Sequence, residues 1–275
     1  MTRYDLHTHS TASDGTLSPT ELVRRAQERG IEVLALTDHD CTDGVAEATT
    51  EANKLGLILI PGMELSVSWE NGQTIHMVGL RIDPATPVLQ AGLLRLREVR
   101  NWRAEEMGRR LATHGILGAF EGAQALARGP IVSRTHFARF LVAGGHSRDM
   151  NGAFDHFLVR GKPGYVAGEW ATLNEGIDWI QAAGGQAVLA HPLRYPLSST
   201  RLRQLLGQFR DCGGVGLEVI SGRHPNDIQV LAQYARTFGL AASVGSDFHH
   251  PDSPYTDLGR LADLPPNVQP LWLNW

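Results

Sequence analysis

The sequence predicts an α/β fold built around a parallel sheet, because short apolar runs alternate with helical segments along most of the chain. The apolar runs are predicted as seven strands, near residues 4–7, 33–37, 57–61, 74–80, 186–190, 215–220 and 240–245. Several of these runs are followed directly by His, Asp or Glu. In barrels of parallel strands the active site lies at the carboxyl ends of the strands. The pattern therefore predicts a polar site at that edge.

The predicted helices carry recognisable start and stop signals. Ser18-Pro19-Thr20-Glu21 predicts a capping box with proline in the first helical position, and this helix is expected to end near Gly30. A second capping box, Thr172-Leu173-Asn174-Glu175, predicts a helix that ends at Gly184-Gly185. Further helices are predicted over residues 43–55, 200–212 and 225–238.

The segment from residue 101 to 167 interrupts the alternation. It contains no apolar run typical of a buried parallel strand, and residues 89–111 have apolar side chains at helical spacing. Two or three helices are predicted to follow, around 120–127, 133–142 and 151–159, with a return loop at Gly161-Lys162-Pro163-Gly164. We therefore expect an inserted helical cap domain, residues 101–167, in a barrel domain formed by residues 1–100 and 168–275.

The composition is that of a soluble globular protein, with 42% hydrophobic and 20% charged residues among 275. The two cysteines, Cys41 and Cys212, cannot form a disulfide framework and fit a reducing compartment. We see neither a signal peptide pattern nor an apolar run long enough to span a membrane. These features predict a cytoplasmic protein without a membrane association.

The net charge of −4 is unevenly distributed. Residues 95–162 carry a net charge of +6, which leaves −10 on the remainder. A carboxylate-rich body beside a basic segment suits a metal-dependent enzyme for anionic substrates. An ordinary solvated helical surface explains the same charges equally well.

Histidine and carboxylate motifs are the main functional signal. His7-Thr8-His9 ends a strand-like run, and residues i and i+2 of a strand point to the same face. Asp247-Phe248-His249 repeats this spacing after the last apolar run, and Asp38-His39 follows the second. Taken singly, each histidine is most simply a hydrogen-bonded core or surface residue. Taken together, so many strand ends carrying metal-binding residue types indicate a metal site.

The order of these motifs resembles the PHP (polymerase and histidinol phosphatase) family. The resemblance implies a distorted (β/α)7 barrel with a centre of three divalent metal ions. The residues carried over as metal ligands and catalytic groups are His7, His9, Asp14, His39, Glu64, His76, His191, Asp247 and His249. One ion would be held by His7, His9 and Asp247 with Glu64 bridging, a second by Asp14, His39 and His249, and a third by Glu64, His76 and His191.

Phosphoester hydrolysis also follows from the chemistry of such a ligand set. Mixed imidazole and carboxylate ligands suit Mn²⁺, with Zn²⁺ or Fe²⁺ as alternatives. Clustered divalent ions lower the pKa of a bound water, so that hydroxide is available near neutral pH, and they stabilise the charge of a phosphoryl group. We find no Ser-His-Asp arrangement and no Walker loop that would indicate another mechanism.

The inserted segment is similar to the TrpH/YciV branch of the family. Ser133-Arg134-Thr135-His136-Phe137-Ala138-Arg139, Gly161-Lys162-Pro163 and Ala190-His191-Pro192 carry this resemblance. Members of the branch remove the 3′-phosphate of nucleoside 3′,5′-bisphosphates, and some degrade short oligonucleotides from the 5′ end. The resemblance implies a nucleotide substrate and no stable protein partner. The expected substrate-binding residues are Ser133, Arg134, His136, Arg139 and Lys162, of which Arg134 is the first choice because guanidinium binds phosphate through two parallel hydrogen bonds.

Several alternatives remain open at this point. The protein could be a 5′-to-3′ exonuclease on short oligonucleotides, a phosphatase of the histidinol-phosphate type, or a metal-binding module without activity. A carbon–nitrogen hydrolase with a similar barrel is more remote, because no lysine follows a predicted strand. The small number of candidate phosphate-binding residues favours nucleotides and short oligomers over long strands. Arg194, Glu218 and His224 also follow strand ends and could line the site.

Overall fold

The sheet forms a nearly closed, distorted barrel. A computed structural model describes residues 2–221, 227–252 and 257–275, except for the side chain of residue 274. The strands are β1 (Tyr4–Asp5), β2 (Val33–Leu36), β3 (Ile58–Trp69), β4 (Gln73–Leu80), β5 (Ala171–Thr172), β6 (Gln186–Leu189), β7 (Gly216–Ile220) and β8 (Ala241–Val244). Their order is β1-β2-β3-β4-β6-β7-β8, with β5 paired to β3 beside this path. A bridge between Thr8 and Phe248 brings the two ends of the sheet together. The predicted barrel is thereby confirmed, and its path contains the seven expected strands.

Helices lie between the strands and follow the predicted start and stop signals. The helices are α1 (Pro19–Glu28), α2 (Val45–Leu55), α3 (Pro87–Thr113), α4 (Ala119–Leu126), α5 (Arg134–Ala143), α6 (Met150–Ala153), α7 (Leu173–Ala182), α8 (Ser199–Asp211) and α9 (Asp227–Phe238). Both predicted capping boxes form, at Ser18 for α1 and at Thr172 for α7. The first residues of the helix predicted over 225–238 lie outside the described residues. None of the helices in the described residues is both long and apolar enough to cross a bilayer.

The expectation of a purely parallel sheet is wrong at β4. This strand runs antiparallel to both β3 and β6, whereas the other pairs are parallel. Only Glu70–Gly72 connects β3 to β4, and a parallel crossover needs a dozen or more residues. The two strands therefore form a hairpin, in which Ser66 lies opposite His76. The sequence also did not predict β5, which has only two residues.

The inserted segment has an apolar cluster of its own. The first half of α3 contributes Leu89, Leu93 and Leu96 to the main core, which packs on the barrel. The second half of the same helix contributes Met107 and Leu111 to a separate cluster shared with α4 and α5. Helix α3 therefore connects the two cores, and the expected boundary at residue 101 falls inside it.

Candidate metal centre

The nine predicted ligands meet at one place in the barrel. His7 and His9 follow β1, His39 follows β2, Glu64 lies within β3 and His76 within β4. His191 follows β6, and both Asp247 and His249 follow β8. Asp14 lies in the loop that precedes α1. Because β4 runs in the opposite direction, His76 reaches the site from the middle of its strand, opposite Ser66.

The first group of donor atoms lies around Glu64 and Asp247. His7 Nε2 lies 3.3 Å from Glu64 Oε1 and 3.4 Å from Asp247 Oδ1. His9 Nε2 lies 3.4 Å from Glu64 Oε2 and 3.1 Å from Asp247 Oδ1. All four side chains can direct a donor atom at a common point. These are the residues that the sequence assigned to one ion.

A second group lies around Asp14. His249 Nε2 is 3.3 Å and His39 Nε2 is 3.9 Å from Asp14 Oδ1. His9 also belongs to this group by distance, although the sequence assigned it to the first ion alone. The imidazoles of His9 and His249 are stacked, with ring centroids 4.2 Å apart.

The third group consists of His39, Glu64 and His76; His191, which the sequence assigned to this ion, contacts Glu64 but does not belong to the group by distance. His76 Nδ1 and His191 Nε2 each lie 3.0 Å from Glu64 Oε1. His39 Nδ1 lies 2.9 Å from Glu64 Oε2, so that His39 faces two of the three groups. Glu64 therefore has contacts in two of the groups and lies at the centre of the cluster.

The charges of the cluster are strongly interdependent. Burial raises the pKa of the Glu64 carboxyl, but the surrounding histidines His7, His39 and His76 outweigh this and hold it well below its ordinary value. Burial lowers the pKa of His39 to about 4, despite the attraction of Glu64. For His249 the balance is reversed, because Asp14 and Asp247 outweigh burial and raise its pKa to about 9. The site therefore holds ionised carboxylates in a buried position, where they need cationic partners.

Several donor atoms in the cluster are buried without a hydrogen-bond partner. In the described residues these include Nδ1 of His39, Oδ1 of Asp14 and Oε2 of Glu64. Buried polar atoms are normally hydrogen-bonded. These unpartnered atoms belong to more than one of the donor groups, and they fit divalent cations, which would satisfy them. The donor set is a mixture of imidazole and carboxylate, as expected for transition metals.

Glu218 supports two of the histidines from behind. Its Oε1 accepts a hydrogen bond from His7 Nδ1 at 2.9 Å, which leaves His7 Nε2 free to face the cluster. Its Oε2 accepts the backbone N–H of His191 at 2.6 Å. A carboxylate behind a ligating imidazole fixes the tautomer and the orientation of the ring.

Tyr195 and Asp38 hold the backbone of the site. The Tyr195 hydroxyl accepts the N–H of His76 at 2.9 Å and donates to the carbonyl of Ala190 at 2.8 Å, so it joins β4 to the end of β6. Asp38 accepts hydrogen bonds from the hydroxyls of Ser10 and Ser13, both at 2.6 Å. It thereby fixes the loop between His9 and Asp14.

Three residues at the site adopt left-handed backbone conformations. The φ angles are +47° at Asp40, +29° at His191 and +53° at Asp247. Residues with side chains seldom adopt this region, and strain of this kind concentrates at functional sites. The conformation at His191 accompanies the hydrogen bond from its N–H to Glu218.

A cavity of about 680 Å³ lies beside the cluster. Its wall includes five of the predicted ligands: Asp14, His39, His76, His191 and His249. Five arginines also line it: Arg100, Arg103, Arg134, Arg160 and Arg194. The aromatic residues of the wall are Phe154, Tyr165, Trp170 and Tyr195. This volume is typical of small-molecule sites.

The structure places the predicted substrate-binding residues in different environments. Ser133 and Arg134 line the cavity. The Ser133 hydroxyl donates to Asp14 Oδ2 at 2.8 Å, and Arg139 Nη2 donates to the Asp14 carbonyl at 2.8 Å. His136 is buried, and its Nδ1 accepts the Ser133 N–H at 3.1 Å, while burial lowers its pKa to about 4. Lys162 is exposed and lies outside the cavity wall.

Arg100, Arg103 and Arg160 are cavity residues that were not predicted from the sequence. Arg100 and Arg103 lie on α3 between Leu96 and Met107, on the face that is otherwise apolar and buried. Arginine at such helical spacing is a signal that could have been found. Of the additional candidates, Arg194 lines the cavity and pairs with Asp247, whereas His224 lies outside the described residues.

The PHP domain family matches residues 5–187. The chain belongs to this family. Among related proteins, the 3′,5′-nucleoside bisphosphate phosphatase of Chromobacterium violaceum is 48% identical over 274 residues, which are 99% of this chain and 96% of that protein. The 5′-3′ exoribonuclease Rnm of Escherichia coli is 47% identical over 275 residues, 99% of this chain and 93% of that protein.

A solved structure with the same PHP fold is that of an amidohydrolase from Chromobacterium violaceum with bound sulfate and no metal. It superposes with a TM-score of 0.94 at 48% identity, and the match covers 98% of this chain and 94% of that one. The likeness extends over the whole barrel and the inserted segment.

Proposed function

We propose that this PHP protein hydrolyses the 3′-phosphate of nucleoside 3′,5′-bisphosphates and releases nucleoside 5′-monophosphates. The observation that carries the proposal is the position of three overlapping donor groups beside a cavity rich in arginine. The donor groups fit metal-dependent phosphoester hydrolysis, and the arginines fit an anionic substrate. The name of the 48% identical relative, 3′,5′-nucleoside bisphosphate phosphatase, supports the choice of substrate.

The proposed cofactors are three divalent ions, with Mn²⁺ as the first choice and Zn²⁺ or Fe²⁺ as alternatives. The mixed donor atoms and the unpartnered buried atoms support this number and type. The proposed ligands are His7, His9, Asp14, His39, Glu64, His76, His191, Asp247 and His249. When bound, such ions supply a water of lowered pKa and neutralise charge on a phosphoryl group.

Residues of the inserted segment have two proposed roles. Arg134 is the proposed phosphate-binding residue, because it lines the cavity and makes no ion pair within the described part of the chain. The contacts of Ser133 and Arg139 with Asp14 support a positioning role, in which they fix this carboxylate against the histidines. His136 holds the start of α5 through its hydrogen bond with Ser133. A substrate-binding role for Lys162 stays a prediction.

The proposed domain organisation is a barrel of residues 1–100 and 168–275 with a helical cap of residues 101–167. The separate apolar cluster of the inserted segment and its contribution to the cavity wall support a cap that covers the substrate. The free thiols of Cys41 and Cys212 support the cytoplasm as the proposed location.

Phosphate release from adenosine 3′,5′-bisphosphate by the Mn²⁺-loaded protein tests the proposed reaction. We expect inorganic phosphate and adenosine 5′-monophosphate in equal amounts, identified by chromatography. Release of the 5′-phosphate would contradict the proposed orientation. Turnover of histidinol phosphate without turnover of the bisphosphate would contradict the substrate, and bound metal without hydrolysis of any phosphoester would indicate a binding module.

A second candidate activity is 5′-to-3′ exonucleolytic cleavage of short oligonucleotides. The name of the Escherichia coli relative, 5′-3′ exoribonuclease Rnm, supports this candidate. Both reactions break a phosphoester bond at the 3′ side of a 5′-terminal nucleotide. Rates on the bisphosphate and on oligonucleotides of two to twenty nucleotides, measured over a range of salt concentrations, distinguish the two. A rate that rises with length and falls steeply with salt would favour the exonuclease.

A further inference from the structure

We propose that Asp5 and Gly245 are positioning residues that hold His7 and Asp247 on the same metal ion. This inference rests on the proposed function, because it concerns the ligands of the first proposed ion. Strands β1 and β8 lie at the two ends of the sheet path, and the barrel closes where the segments that follow them meet. We call this place the seam, and it comprises residues 5–9 and 244–249.

The backbone of the seam joins ligands from the two ends of the chain. The Asp247 N–H donates to the carbonyl of His7 at 2.8 Å. The His9 N–H donates to the carbonyl of Phe248 at 2.9 Å. His7, His9 and Asp247 all belong to the first donor group. One ion bound by them would therefore tie the two ends of the sheet together, and the pairing along the seam determines where their side chains lie.

Asp5 connects the first strand with the turn that carries Asp247. It is the last residue of β1 and is fully buried, and its Oδ1 accepts the backbone N–H of Ser246 at 2.8 Å. Ser246 is also fully buried, and it directly precedes Asp247, whose φ of +53° is seldom adopted by residues with side chains. Because Asp5 fixes the peptide before this residue, it helps to keep Asp247 Oδ1 at 3.4 Å from His7 Nε2.

Gly245 allows the two sides of the seam to approach each other closely. A Cβ atom at this position would lie 2.2 Å from His7 Cβ and 2.6 Å from Glu218 Oε1, so a side chain does not fit. The φ angle of Gly245 lies outside the left-handed region, so glycine is required here for space rather than for backbone conformation. A larger residue would displace His7 or the Glu218 carboxylate that accepts from its Nδ1.

The test of Asp5 measures metal binding without substrate. Calorimetric titration with Mn²⁺ needs no turnover, so its result does not depend on the proposed reaction. We expect Asp5→Leu to weaken Mn²⁺ binding by about 10- to 100-fold, the usual effect of losing a residue behind a ligand. Asp5→Asn keeps an oxygen that accepts the Ser246 N–H and should stay within about threefold of wild type. An equal loss in both variants, or wild-type affinity in Asp5→Leu, would overturn the role of Asp5.

The test of Gly245 adds the number of Mn²⁺ ions retained per chain after gel filtration. We expect Gly245→Ala to bind Mn²⁺ about 10- to 100-fold more weakly and to retain less of it, because His7 is displaced. Gly207→Ala on α8 is the matched control, because the nearest atom to a Cβ there would be Phe238 Cε1 at 3.8 Å. A lower melting temperature of Gly245→Ala with wild-type Mn²⁺ content in the folded protein would show a merely structural role and overturn the proposal.

Hydrogen exchange of the wild-type protein provides a test if these variants do not fold. An ion held from both sides of the seam stabilises its closed state, so Mn²⁺ at ten times its Kd should slow amide exchange there about 10-fold. Peptides that cover residues 5–9 and 244–249 report on the seam, and a peptide from α8, which contributes no donor atom, is the control. Unchanged exchange in both seam peptides would overturn the inference that one ion joins the two ends of the sheet.

Discussion

Replacing Glu218 by glutamine tests whether the residues behind the donor groups determine metal binding. The carboxylate accepts two hydrogen bonds, from His7 Nδ1 and from the backbone N–H of His191. Glutamine has the same shape but only one acceptor oxygen, so it can satisfy one of these donors and presents an N–H₂ group to the other. The change therefore disturbs His7, a member of the first donor group, or His191, which contacts Glu64, without removing either.

The expected magnitude follows from these two contacts. Loss of a carboxylate behind a ligating histidine lowers metal affinity or activity by about 10- to 100-fold, which corresponds to about 1.4 to 2.7 kcal/mol. The donor that loses its acceptor stays buried, because His7 and Glu218 are each 1% exposed. An unsatisfied buried group adds a loss of about 1–3 kcal/mol in the free energy of unfolding.

The assay is phosphate release from adenosine 3′,5′-bisphosphate over a titration of Mn²⁺, with metal content measured by mass spectrometry. We expect Glu218→Gln to need a higher Mn²⁺ concentration for half-maximal rate and to retain less metal after gel filtration. Glu105→Gln on the exposed face of α3 is the matched control for the loss of one charge. Wild-type metal affinity and rate in Glu218→Gln would refute the inference that this carboxylate orients His7 and His191.

Three further predictions use other parts of the site. Asp247→Ala should lose activity by several orders of magnitude while keeping its melting temperature within a few degrees, with Asp155→Ala on the surface as the control; a near wild-type rate would remove Asp247 from the centre. Tyr195→Phe should lower the number of ions retained per chain, because it loses the hydroxyl between His76 and Ala190; an unchanged stoichiometry would contradict this positioning role. His136 has a pKa of about 4 in the folded protein, below the ordinary value of 6.5, so the unfolded chain binds the proton first as the pH falls. Stability is therefore lost between pH 6.5 and 4, by about 2 kcal/mol from pH 7 to 5. His136→Gln keeps an acceptor for the Ser133 N–H, and urea unfolding at both pH values should show a smaller decrease than in wild type; identical decreases would contradict the assignment.

The barrel strands and the order of donor residues were predictable because both depend on local pattern. Apolar runs identified the strands of the barrel path, and the capping boxes at Ser18 and Thr172 identified two helix starts to the residue. The convergence of strand ends then followed from the fold class. The direction of β4 was not recognised, although the short connection Glu70–Gly72 indicates a hairpin.

The supporting residues were harder to predict because their roles arise only in three dimensions. Arg103 and Trp170 are far apart in the chain and meet through the packing of α3 on the hairpin. The position of the Lys162 side chain could not be predicted either, because a Gly-Pro loop does not determine where a flexible side chain points. The sharing of His9 and His39 between groups depends on where their imidazoles lie relative to Asp14 and Glu64 in the folded protein, which no sequence pattern encodes.

The left-handed backbone at His191 and Asp247 has a consequence for protein engineering. Glycine adopts this conformation without steric cost, so replacing either residue by glycine removes a strain of about 1 kcal/mol or more. Glycine at either position would also remove a proposed metal ligand, and at position 247 it would remove the partner of Arg194. A search for heat-resistant variants at these two positions therefore has to measure phosphate release together with the melting temperature.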